Sequence, residues 1–209
     1  MKLYIIRHGE TDLNAKSVMQ GWVDPPINRS GRELAALTGQ AMRDIRFDRC
    51  ISSPLSRARE TAEIVLRESG NEIPITTDDR IREMSCGDIE EKSITEMGDA
   101  ARLFFVDPFR FPGFPNGETI QDLCSRTQEF FRELTAIDDG KTYLISTHGC
   151  AMRAMLNYLF DNPSDYWRGH APYNCAVCIV EADGGTPRVT ELDKVYYDQS
   201  LIVDYYKIS

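Results

Sequence analysis

Lys2-Leu3-Tyr4-Ile5-Ile6-Arg7-His8-Gly9-Glu10-Thr11 opens the chain, and Thr142-Tyr143-Leu144-Ile145-Ser146-Thr147-His148-Gly149 repeats its grammar far downstream. In each stretch a short run rich in β-branched and aromatic residues ends on His-Gly. Such runs predict buried strands. Ligands of open α/β sheets bind beyond the carboxyl ends of the strands. The two imidazoles are therefore expected on one rim, distant in sequence and adjacent in space. The chain has only three histidines, so two of them in one local pattern carry weight.

Working outward, strand signals alternate with helical ones. Ser30-Gly31-Arg32-Glu33 has the hydroxyl-then-carboxylate spacing of a capping box, and Leu34, Leu37, Ala41 and Ile45 continue it at helical spacing. Arg49-Cys50-Ile51-Ser52 predicts a second strand. Ser53-Pro54 then suits an N-cap followed by the first helical position, predicting a helix over 54–68. Thr119 is expected to cap a helix whose buried face carries Ile120, Leu123, Thr127, Phe130 and Leu134. A helix with Met152, Met155, Leu156 and Leu159 follows the 142–147 strand, and 174–180 and 188–192 predict further strands. This alternation implies an α/β fold: a three-layer α/β/α sandwich around a mostly parallel sheet. With no internal repeat or dividing linker, residues 1–209 are expected to form a single domain. The ring- and proline-rich run from Phe104 to Pro115 marks residues 84–117 as a cap or loop region over one end of the sheet. Its rings either meet substrate or seal the core.

At 209 residues, 42% hydrophobic and 27% charged, the composition is that of an ordinary globular protein with a substantial core. No run approaches the roughly 18 apolar residues a membrane span needs. Charged Arg7 and Glu10 follow the first residues at once, unlike a secretory signal, so a cytoplasmic location is expected. The six cysteines show no disulfide-scaffold density. Cys175-Ala176-Val177-Cys178 lies in an apolar run without a second pair at zinc spacing, so buried thiols in a strand are the expectation. The net charge of −9 argues against a nucleic-acid surface, which needs a basic face. A few converging cations in a cleft still permit a small phosphorylated substrate.

Arg7-His8-Gly9-Glu10-Thr11, with Asn14 behind it, resembles the signature of the histidine phosphatase superfamily, the phosphoglycerate-mutase-like proteins. Gln20-Gly21-Trp22, Ser52-Ser53-Pro54-Leu55-Ser56-Arg57-Ala58, Arg82-Glu83-Met84, Gly117-Glu118-Thr119 and Thr147-His148-Gly149 correspond, in order, to further motifs of that family. The likeness spans nearly the whole chain. It departs at Gly87-Asp88-Ile89-Glu90-Glu91, where many relatives carry Gly-x-Trp-Glu-Gly, and at Pro26-Ile27-Asn28, where a Pro-Leu-Thr-like run is common. Both changes lie away from the phosphate residues and bear on substrate identity.

The resemblance implies that His8 is a nucleophile forming a phosphohistidine. The chemistry is sound: a neutral imidazole has one nitrogen that can attack phosphorus, provided an acceptor holds the other N–H. Arg7 and Arg57 are the expected phosphate clamp, because guanidinium forks match phosphate geometry and Arg57 lies near a helix start. Arg59 is the rival for that place. His148 is expected to donate to the phosphoryl group, assisted by the Gly149 N–H. Asn14 offers a further donor, and Gln20 and Gly21 border the leaving group. Glu83 is the candidate general acid and base, with Glu10 as competitor. His170 has no matching role.

Two histidines and a carboxylate can also hold a metal, but flanking arginines would repel a cation, so neither metal nor cofactor is expected. The implied activity is hydrolysis of a small phosphomonoester. Alternatives are a bisphosphoglycerate-dependent phosphoglycerate mutase, passing the phosphoryl group to a sugar-acid hydroxyl, and a non-catalytic phosphate-binding module. The expected partner is a small phosphorylated metabolite, with no nucleic acid and no membrane, the protein being a monomer or homodimer.

Overall fold

Strand β1 (Lys2–Arg7) is buried on both faces, and its side chains sort by the period of two that a strand imposes. Tyr4 and Ile6 enter one apolar cluster, and Leu3 and Ile5 enter another. Helices must therefore cover the sheet on both sides. In the computed structural model, which describes residues 1–97 and 99–205, they do. Gly98, inside the expected 84–117 cap, and residues 206–209 lie outside the described residues.

The sheet has six strands in the order β3-β2-β4-β1-β5-β6. They are β1, β2 (Arg49–Ser52), β3 (Ile75–Thr77), β4 (Thr142–Thr147), β5 (Val177–Asp183) and β6 (Thr186–Lys194). The β3-β2, β2-β4 and β4-β1 pairs run parallel, whereas β1-β5 and β5-β6 run antiparallel. A short helix α1 (Asp12–Ala15) follows β1. Helices α2 (Arg29–Ala41) and α3 (Ser56–Glu68) bring Leu34, Ala35, Ala62 and Val65 onto the Tyr4–Ile6 face. Beyond α4 (Asp99–Val106), α5 (Ile120–Ile137) and α6 (Gly149–Leu156) bring Phe130, Phe131, Leu134, Met152 and Met155 onto the Leu3–Ile5 face. The result is the three-layer α/β/α sandwich with a mostly parallel sheet.

A third apolar cluster joins Phe104, Phe111 and Phe114 to Met84, Ile120, Tyr166 and Trp167. Phe104 lies at its centre, with ring contacts to Phe105, Phe111, Phe114 and Trp167 at 5.0–5.4 Å. The ring-rich run thus folds into a small core of its own. Glu91, where many relatives carry glycine, holds a left-handed backbone at φ 64, and its N–H reaches the Met19 carbonyl.

Several local expectations shift. The cap of α2 is Asn28, whose side chain accepts from the Gly31 N–H, and Glu33 pairs with Arg29 instead of closing a Ser30 capping box. Ile45 falls beyond that helix. Helix α3 starts at Ser56 and not at Pro54, because its first N–H is satisfied from afar: Asp24 accepts from the Ser56 N–H at 2.7 Å and its hydroxyl at 2.8 Å. Strand β5 begins at Val177, since Cys175 takes a left-handed φ of 56. Cys175 and Cys178 are nonetheless buried free thiols, and burial pushes each up to about 12. Thr119 caps α5 as expected, in a capping box closed by Asp122. No helix among the described residues is long and apolar enough to cross a membrane.

Candidate active site

β1 and β4 are neighbours in register, Arg7 opposite Thr147, and the next residue on each strand is a histidine. The His8 N–H donates to the Thr147 carbonyl at 2.9 Å. The two imidazole centres lie 5.1 Å apart, tilted by 57°, and both side chains are buried. Folding thus brings together residues 140 positions apart in the sequence.

His8 Nδ1 lies 2.7 Å from the Gly9 carbonyl oxygen. A carbonyl only accepts, so Nδ1 carries the hydrogen and Nε2 keeps its lone pair. Burial first, and then the Arg57 and Arg7 charges, hold His8 well below the ordinary imidazole range. The same causes depress His148, with burial again largest and Arg57 next. Both rings are neutral in this setting. The loop that carries Gly9 is tight: the Gly9 N–H donates to Thr61 Oγ1, and a Cβ on Gly9 would lie 2.7 Å from the Gly31 carbonyl oxygen.

Arg57 is wholly buried and anchored by the carbonyls of Val23 and Gly21, each at 2.7 Å. These two carbonyls fix where the guanidinium fork lies. Arg59, the rival, lies exposed and pairs with Glu63. Arg7 is oriented by the Pro172 carbonyl. Asn14 Oδ1 accepts from the Thr11 N–H and, at 3.4 Å, from Asn174 Nδ2. Gln20 accepts from the Thr11 hydroxyl. Gly21 takes a left-handed φ of 51, and a Cβ there would collide with Glu90 Oε1.

Glu83 sits at the start of α6. Its carboxyl oxygens accept from the N–H groups of Ala151 at 3.1 Å, Cys150 at 3.2 Å and Met84 at 2.9 Å. Its backbone carbonyl is gripped twice more, by Arg126 Nη2 and Trp22 Nε1, both at 2.8 Å. Arg126 also reaches the carbonyls of Arg80 and Arg82 and forms a bidentate pair with Glu118. Glu118 in turn accepts from the Ser85 N–H. Glu10, the competitor, is turned away, taken up by Asn28 and Tyr205.

Arg7, His8, Asn14, Gln20, Gly21, Arg57, Glu83 and Gly149 all line one cleft of about 550 Å³; His148 is outside that lining, its ring centre 5.1 Å from that of His8. The rest of the cleft lining is largely apolar, with Met19, Met84, Cys86, Phe104, Phe105 and Trp167. Phe104 and Phe105 therefore serve core and cleft together, while Phe111 and Phe114 only seal. Burial pushes the Cys86 and Cys150 thiols well above their usual range, with the Glu83 carboxylate adding to it. His170 stacks on Tyr173 at 4.5 Å, away from the cleft lining. Among the described residues no group of three or more His, Cys, Asp or Glu side chains could hold a metal ion. Sequence reasoning missed Ser53, Thr61, Arg126 and Asn174, which orient the other residues. Only Ser53 lay inside a motif.

The chain is similar to the probable phosphoglycerate mutase GpmB of Salmonella arizonae, 30% identical over 87% of this chain and 85% of the relative. Its structure resembles Bacillus stearothermophilus YhfR, with a TM-score of 0.85 and 34% identity over 93% of this chain and 97% of that one. The phosphoglycerate mutase of Bacillus anthracis shares the fold, with a TM-score of 0.81 at 24% identity, covering 100% and 96% of the two chains. The profile of the histidine phosphatase superfamily (branch 1) matches residues 3–194. A match of that extent shows that this chain belongs to the histidine phosphatase superfamily, branch 1.

Proposed function

We propose that the protein hydrolyses a small phosphomonoester through a phosphohistidine on His8. The observation that carries this reading is the His8 tautomer: a carbonyl at Nδ1 leaves a lone pair on Nε2, beside two buried guanidinium groups. Arg7 and Arg57 hold the phosphoryl oxygens and spread the charge that builds in phosphoryl transfer. Nε2 attacks phosphorus, an N–P bond forms, and the P–O bond to the leaving group breaks. Glu83 gives its proton to the departing oxygen. Water then attacks phosphorus and loses a proton to Glu83, while the N–P electrons return to His8. Asn14, His148 and the Gly149 N–H supply further donors to the phosphoryl group, and Gln20, Gly21 and the 84–117 cap border the leaving group.

The cleft favours hydrolysis over mutase chemistry. A sugar-acid substrate carries a carboxylate beside its phosphate. Among the described residues the cations lining this cleft are Arg7 and Arg57, the expected phosphate clamp. Among the described residues the rest of the lining is largely apolar and adds no further cation, which suits an aryl or alkyl leaving group. The mutase reading draws support from the name of the Salmonella relative.

His8→Ala is expected to lower turnover of an aryl phosphate at least about a thousandfold, the loss seen when a nucleophile is removed, with the thermal transition retained. Retained turnover would refute the nucleophile. Incubation with a phosphoglycerate separates the two chemistries: free phosphate supports hydrolysis, and isomerised phosphoglycerate supports the mutase.

A further inference from the structure

We propose that Ser53 is a positioning residue that sets the tautomer of His148, so that Nδ1–H of this ring is the donor offered to the phosphoryl group. The inference rests on the phosphatase reading above for its catalytic consequence, but not for the tautomer itself.

Three parallel strands end close together at this rim. Ser52 pairs with Ser146, and Arg7 with Thr147, so His148 and His8 emerge side by side from β4 and β1, and Ser53 leaves β2 one residue before their level. Ser53 is wholly buried, and its Oγ lies 2.8 Å from His148 Nε2. The same oxygen accepts the Leu55 N–H at 3.3 Å. An amide N–H can only donate, so among the described residues the acceptor for the serine hydrogen is His148 Nε2. If Nε2 carried the ring proton instead, the hydroxyl hydrogen would be buried without an acceptor, which is unfavourable.

Burial and the neighbouring arginines keep the ring neutral, so it has a single N–H. With Nε2 accepting, that hydrogen sits on Nδ1. This atom is buried and has no hydrogen-bond partner in the resting site. Buried polar atoms are nearly always paired, and a phosphoryl oxygen beside His8 would satisfy this one. The two imidazoles thus receive opposite duties from opposite partners. At His8 a carbonyl holds Nδ1–H and leaves Nε2 as nucleophile. At His148 a hydroxyl holds Nε2 and leaves Nδ1–H as donor.

The test reads the tautomer directly. The resting protein, labelled with [15N]histidine, is examined by long-range 1H–15N correlation. Only three histidines contribute, and His170→Gln removes one of them. His148 is expected as the Nδ1–H form in wild type and in Ser53→Thr, which keeps the hydroxyl. Ser53→Ala is expected to shift it toward Nε2–H and to lower kcat on an aryl phosphate about tenfold, the equivalent of one lost net hydrogen bond, with KM moving less. Ser53→Thr restores kcat.

A wild-type His148 protonated at Nε2 overturns the proposal, whatever the folding of the alanine variant. So does an alanine variant that keeps either the Nδ1–H form or full kcat. Because the spectrum needs no substrate, failure here and failure of the phosphatase reading are separate results.

Discussion

His8 and His148 are imidazoles in one pocket, yet a backbone carbonyl holds one and a serine hydroxyl the other. Their shared burial has a consequence for stability. Both are held neutral in the fold, whereas the unfolded chain takes up protons below about pH 6.5. Their contribution is full above that pH and declines as pH falls toward the depressed folded values. Each histidine then costs about 1.4 kcal/mol per pH unit. Denaturant unfolding between pH 7.5 and 5.5 should show this slope, and His8→Asn should reduce it by one proton's worth. An unchanged slope in the variant would mean that His8 titrates alike in both states. At this scale the sequence was most legible. His8, Arg7, Arg57, His148 and Glu83 sit in compact motifs whose neighbours in the chain are also their neighbours in space. The orienting residues were illegible because they act across the fold. Asn174 reaches the His8 carbonyl from 166 positions away, and no local pattern marks it.

Among the elements, the segment carrying Glu83 is neither helix nor strand, so its geometry must be imposed from outside. Arg126 on α5 does this, joining the carbonyls of Arg80, Arg82 and Glu83 to the Glu118 carboxylate. Arg126→Gln is expected to lower kcat/KM on an aryl phosphate about tenfold to a hundredfold, the effect of an ångström-scale displacement of a catalytic group. Far-ultraviolet circular dichroism should be unchanged. Full kcat/KM would show that Trp22 and the α6 N–H groups suffice to hold Glu83. Helix starts divide along the same line of local against remote. The α5 cap, Thr119 with Asp122, is contained in four consecutive residues and was readable. The start of α3 depends on Asp24, 32 positions upstream, so Ser53-Pro54 looked like a cap while Ser53 was engaged with His148.

Across the whole molecule, the sandwich was legible because β1 and β4 are apolar on both faces, and only a two-sided layer can bury such strands. The cleft wall was half legible. Phe104 and Phe105 stood out in sequence, but Trp167 joins them from a distant loop. That apolar lining, in a cleft shared with two arginines, implies a selectivity. Aryl phosphates are expected to exceed 3-phosphoglycerate in kcat/KM by at least about a hundredfold. An unbalanced carboxylate against an apolar surface costs several kcal/mol, and each 1.4 kcal/mol is a factor of ten. Equal rates in a free-phosphate assay would mean that the wall does not face the leaving group.

The phosphohistidine itself is the most direct test of the account. Brief reaction with a 32P-labelled aryl phosphate, followed by alkaline quench, should leave label on the peptide containing His8. That bond should survive alkali and be lost in acid, and the label should be absent from His8→Ala. Label stable to acid on serine or threonine, or label retained by the alanine variant, would contradict it.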